Sequence, residues 1–103
     1  MVKIVYLVTK RPDLTDKQFV DHWTSTHADL ATQLPELQAY SINLPSPEQR
    51  GPRPIDGYAM VKFPSWTQAK AAWASEIGRA TAADGELFMA GTRAAIVNER
   101  QFL

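Results

Sequence analysis

The chain has 103 residues, 11 Lys and Arg against 11 Asp and Glu, and no cysteine. That length makes a single domain over residues 1–103, with a real core but little room for a deep pocket unless a second copy helps. Balanced charge without a basic stripe argues against nucleic acid and anionic membrane as partners. The missing cysteines remove disulfide and thiolate chemistry, and the N-terminus carries neither a signal peptide nor an apolar span, so a cytoplasmic protein is expected.

Val2 to Lys10 is rich in β-branched residues and apolar on both alternating faces, with Val2, Ile4, Tyr6 and Val8 on one and Val5 and Leu7 on the other. It reads as a strand that must be covered on both sides. Pro12 and Asp13 turn the chain into a long helix between Leu14 and Pro35. Thr15 has Gln18 three residues on, the spacing of a capping box, and Leu14 with Phe19 has that of a hydrophobic staple. Pro35 disfavours helical dihedrals just before it, which predicts a helix end near Gln33 or Leu34.

At about 100° per residue, Phe19, Val20, Trp23, His27, Leu30, Ala31 and Leu34 share one arc of this helix. His27 therefore points inward, beside Trp23, where a leucine would be ordinary. Either it is a core histidine with both nitrogens satisfied, or it is a titratable group set against an apolar wall for chemistry. His22 falls next to the polar face and is expected in solvent. Two histidines at i, i+5 do not share a helix face, and no HxxxH or histidine-plus-carboxylate cluster is visible, so no metal site is expected.

Gln38 to Leu44 alternates Tyr40, Ile42 and Leu44 against Ala39, Ser41 and Asn43, a second strand. Pro45 to Pro54 holds four prolines and reads as a long exposed connection. Ile55 to Phe63 is the third strand, opened by the Asp56-Gly57 turn signal. Ser65 with Gln68 repeats the capping signature and starts a helix through Trp66, Ala69, Ala72 and Trp73. Gly78 is expected to break or bend it, a short helical piece should follow to Asp84 and Gly85, and Arg93 to Gln101 reads as the last strand. The order β-α-β-β-α-β predicts an α+β, ferredoxin-like fold, a four-stranded antiparallel sheet with its helices on one face. The other face stays apolar, and the same face of a second copy is its expected cover, which predicts a homodimer.

The stretch RPDLTDKQFVDHWTSTHADLATQLPELQAYSIN resembles the EthD family, small proteins of the dimeric α+β barrel superfamily: a phenylalanine, a tryptophan, the helix histidine, Leu-Pro, then a strand with tyrosine and asparagine. The segment DGYAMVKFPSW is similar to the family's third strand and helix start. The resemblance implies a pocket between sheet and helices formed by Trp23, His27, Tyr40, Asn43 and Asp56. The family takes its name from a protein needed beside a haem monooxygenase system that degrades an alkyl ether. Superfamily relatives include polyketide cyclases, muconolactone isomerases, cofactor-free monooxygenases and haem-degrading enzymes.

Two functions follow as expectations. One is an enzyme acting on a small, largely apolar organic molecule, by proton abstraction next to a carbonyl or by oxidation without a cofactor. In it His27 is the base, Tyr40 or Asn43 holds the oxygen on which charge develops, and Trp23, Asn43 and Asp56 contact the ligand. The other is a non-catalytic accessory protein that holds such a molecule for a partner oxygenase. A third, weaker reading is haem held by His27. No dinucleotide loop or nucleophile elbow is present, and no cofactor is expected.

Overall fold

The N-terminal β-branched run forms β1 (Val2–Lys10), over the residues expected of it. In the computed structural model, which describes residues 1–103, there follow α1 (Asp16–His22), a π-helical turn (Trp23–His27), α2 (Ala28–Ala31), β2 (Ala39–Asn43), β3 (Gly57–Phe63), α3 (Trp66–Ala74), α4 (Glu76–Gly85) and β4 (Met89–Val97). The sheet order is β2-β3-β1-β4 with every pair antiparallel, the ferredoxin-like arrangement that the element order predicts.

Both parts of the Thr15 capping box form. The Gln18 amide donates to the Thr15 hydroxyl at 3.1 Å, and the Gln18 side-chain oxygen accepts from the Thr15 amide at 2.9 Å. Leu14 packs on the cluster that contains Phe19, as the staple requires. Further along, the helix is not regular. The Ala28 amide reaches back to Trp23 O, five residues away, and the Thr24 hydroxyl donates to Val20 O at 2.7 Å while that of Ser25 donates to Asp21 O. Hydroxyls that bond the carbonyl four residues back supply partners to a ladder that the wider turn disturbs. The amides of Gln33 and Leu34 bond three residues back, so the helical winding tightens and ends sooner than expected.

The second helical region breaks at Ser75, not at Gly78. Ser75 is extended, with ψ 167°, and its hydroxyl accepts from the Gly78 amide at 3.1 Å, so one serine ends α3 and caps α4. Gly78 has a different task. A Cβ there would run into the carbonyls of Ala72 and Trp73, so glycine lets α4 fold back tightly on the end of α3.

Three strand limits differ from expectation. The Asp56 amide donates to Val8 O at 3.0 Å and its carboxylate accepts from the Lys10 amide at 2.8 Å, a turn that delays β3 to Gly57. Asn43 closes β2. The last strand lies earlier than Arg93–Gln101, because β4 follows β1 along its whole length from Lys10↔Met89 to Lys3↔Val97.

Ile4, Leu34, Val61, Phe63, Ala69 and Ala72 form one buried cluster, and Val8, Phe19, Trp23, Ala59 and Phe88 another. On the opposite face, register aligns Val5 with Met60 and Ala95, and Leu7 with Tyr58 and Arg93. No helix covers that face, and none is long and apolar enough to cross a membrane.

Candidate functional site

Between the two clusters lies a cavity of about 400 Å³, the size of a small-molecule site. The sheet supplies its floor through Tyr6, Val8, Tyr40, Ala59 and Val61; Trp23 and His27 come from the first helix, and Trp73, Thr81 and Gly85 from α3 and α4. It opens along the seam between α4 and β4, where Ala82, Glu86, Ala90 and Gly91 are exposed.

Trp23 is fully buried and lies over Gly57, where a Cβ would sit 2.6 Å from its ring. Only a residue without a side chain admits the indole at this place.

His27 is 8 % exposed, and its Nδ1–H donates to Asp84 Oδ2 at 2.8 Å. His22 reaches the same carboxylate from the other side, its Nε2–H lying 3.1 Å from Oδ1 and 3.0 Å from Oδ2. A carboxylate offers only acceptors, so the ring nitrogens that face it carry the hydrogens. With Nδ1 engaged, the nitrogen that His27 keeps for a ligand is Nε2. Phe88 packs on both imidazoles, its centroid 4.9 Å from that of His27 and 5.0 Å from that of His22. Burial pushes the His27 pKa below the ordinary 6.5; the hydrogen bond and charge of Asp84 oppose this, and the charge of His22 adds to it. A neutral imidazole in an apolar wall is a competent base.

This arrangement corrects two expectations. The π turn runs from Trp23 to His27 directly after His22, and a turn closed by i→i+5 bonds draws residues five apart toward one face, where a regular helix would separate them by about 140°. His22 is therefore half-buried against Asp84 instead of free in solvent. A histidine-plus-carboxylate cluster does exist, its carboxylate coming from α4, far along the chain. Asp84 was missed because one aspartate in an alanine-rich helix end gives no sign of which way it points. No group of His, Asp and Glu side chains is arranged to hold a metal ion.

Trp23 Nε1, Tyr40 Oη and Trp73 Nε1 are buried without a hydrogen-bond partner, and all three residues line the cavity. Buried donors rarely stay unpaired, because each loses its water without compensation. Burial also raises the Tyr40 and Tyr6 hydroxyls to about 12, so both remain neutral donors.

Asn43 and Asp56 lie elsewhere. Asn43 shares its face of β2 with Ser41, whose hydroxyl accepts from Nδ2 at 3.1 Å, while Tyr40 lies on the face turned to the helices. Asp56 is occupied with Lys10, and Arg53 lies 3.7 Å from its other oxygen. The cavity thus brings together Trp23, His27 and Tyr40 of the five residues singled out, adds Tyr6, Trp73 and Asp84 beside His27, and leaves Asn43 and Asp56 outside.

Residues 11–92 match the family model of the EthD domain. Among curated proteins no sequence match is found. Solved structures with this fold include an ethyl tert-butyl ether D (EthD) family protein from Bacillus halodurans, 22% identical, covering 97% of this chain and 99% of that one at a TM-score of 0.81. A dimeric ferredoxin-like protein of unknown function from Thermobifida fusca is 18% identical over 93% of this chain and 88% of that one, with a TM-score of 0.73. SnoaB, a cofactor-independent oxygenase from Streptomyces nogalater, is 14% identical over 99% and 95%, with a TM-score of 0.70. The match over residues 11–92, on a ferredoxin-like fold, makes this chain a member of the EthD domain family.

Proposed function

We propose that this EthD-domain protein binds a small, largely apolar molecule bearing a carbonyl or phenolic oxygen, and that His27 moves a proton on it without a cofactor. The observation that carries the reading is the set of unpaired donors that line one apolar cavity together with His27. Tyr40 Oη and Trp23 Nε1 are suited to hold an oxygen while His27 Nε2 takes a proton from the adjacent carbon, and charge developing on that oxygen strengthens both hydrogen bonds. The enolate so formed leads to isomerisation, to cyclisation, or, with dioxygen as oxidant, to oxygenation. The cofactor-independent oxygenase with the same fold supports this chemistry.

The test uses 2-tetralone, an aromatic ketone with acidic hydrogens beside its carbonyl, in deuterated buffer. The protein should accelerate deuterium uptake, and His27→Ala should abolish the acceleration while circular dichroism stays unchanged, since Asp84 keeps His22 as partner. Tyr40→Phe should weaken binding about fivefold, the worth of roughly 1 kcal/mol. Binding that quenches tryptophan fluorescence without any faster exchange would favour the second reading, an accessory protein that holds its ligand for a partner oxygenase.

We also propose a homodimer packed through the helix-free sheet face. The apolar strip on that face supports this, and proteins with the same fold are dimeric.

A further inference from the structure

We propose that His22, which lies outside the cavity, is a positioning residue for His27 and acts through Asp84. Its Nε2–H holds both carboxylate oxygens, and the carboxylate so fixed binds His27 Nδ1–H and leaves Nε2 as the basic nitrogen on the cavity side. This deepens the reading of His27 as the base and rests on it for its use in catalysis.

The geometry carries it. Asp84 is 9 % exposed, and a buried carboxylate left free to rotate would offer His27 either oxygen or none. His22 contacts both oxygens within 0.1 Å of each other, at 3.0 and 3.1 Å, which locks the rotation of the carboxylate. Oδ2 keeps a second lone pair for His27 at 2.8 Å. Phe88 lies against both imidazole rings, which restricts their tilt. The π turn sets the two histidines on one face, and a regular helix would turn His22 away from Asp84.

The device also sets how strongly His27 holds a proton. Asp84 favours the imidazolium, whereas a charged His22 on the far side of the carboxylate disfavours it. Of the other titratable groups near the cavity, Tyr6 and Tyr40 face it from the sheet as neutral hydroxyls, and Glu86 stands on the exposed rim.

Long-range ¹H–¹⁵N correlation spectra of the ligand-free full chain, recorded across pH, read tautomer and titration directly. Wild-type His27 should show the Nδ1–H tautomer when neutral. His22→Gln retains a donor without the charge, so the tautomer should persist and the His27 midpoint should move to higher pH. Asp84→Asn should admit the Nε2–H tautomer and move the midpoint to lower pH. An Nε2–H tautomer in the wild type, or a His27 midpoint unmoved by His22→Gln, overturns the proposal. Because no substrate enters this measurement, its failure is distinct from a failure of the tetralone exchange.

Discussion

His27 bonds a carboxylate, yet burial makes it harder to protonate. The unfolded chain takes up this proton first on acidification, so the stability that the neutral imidazole contributes is present above pH 6.5 and is lost as pH falls from there toward the folded midpoint. The urea midpoint of the wild type should decline over that window, and His27→Gln should decline less. Equal slopes for the two proteins would show that the proton sits elsewhere. Gly57 offers a second single-residue test. Gly57→Ala drives a methyl into the Trp23 ring, and overpacking of this kind costs about 1–3 kcal/mol. Chemical denaturation measures it, and tryptophan emission should move to the red as the indole is displaced. A variant as stable as the wild type would mean that the ring has room to retreat.

Among the elements, the α3–α4 junction fixes where Asp84 stands. Ser75→Ala removes a cap worth about 1 kcal/mol, whereas Gly78→Ala sets a methyl against two backbone carbonyls that cannot yield without parting the helices. Gly78→Ala should therefore be the more damaging, with the larger fall in urea midpoint; the reverse order would place the junction's stability in the cap. Most elements were legible from local rules, because a capping box, a proline and a period-two run each act within a few residues. The π turn was not. A helical wheel assumes a constant step, and the hydroxyls of Thr24 and Ser25 that accompany the wider turn look like any polar face. The residues that line the cavity were legible where local phase and resemblance agreed, helical phase at Trp23 and His27 and strand alternation at Tyr40. For Asn43 the alternation of β2 had already put it opposite Tyr40, and that local rule outweighs the resemblance. Asp84 needed the packing of α4 on the first helix, which no local pattern specifies.

For the whole molecule, the uncovered sheet face decides the state in solution. Val5, Leu7 and Met60 are only partly buried, Tyr58 is 38 % exposed, and Lys3, Lys62 and Arg93 flank them on the same face. Such a strip is stable in water when a second copy covers it and the basic side chains reach outward to the rim. Size exclusion with light scattering should give twice the 11.5 kDa chain mass at micromolar concentration. Met60→Glu, which sets a carboxylate at the middle of the strip, should give a folded monomer. A wild-type monomer with native circular dichroism would remove the dimer from the proposal.

The place of β1 between β3 and β4 has a consequence for how the protein is made. Its apolar strand leaves the ribosome before either of its partners, and Lys3 must wait for Lys62 on one edge and Val97 on the other. Until then a nine-residue strand carries two unpaired edges, with Lys3 and Lys10 as its only charges. Closing these distant pairings is slow compared with helix formation, and an unpaired apolar strand is open to association with other nascent chains. Lys3 and Lys10 are the charges placed to oppose that association until β4 docks.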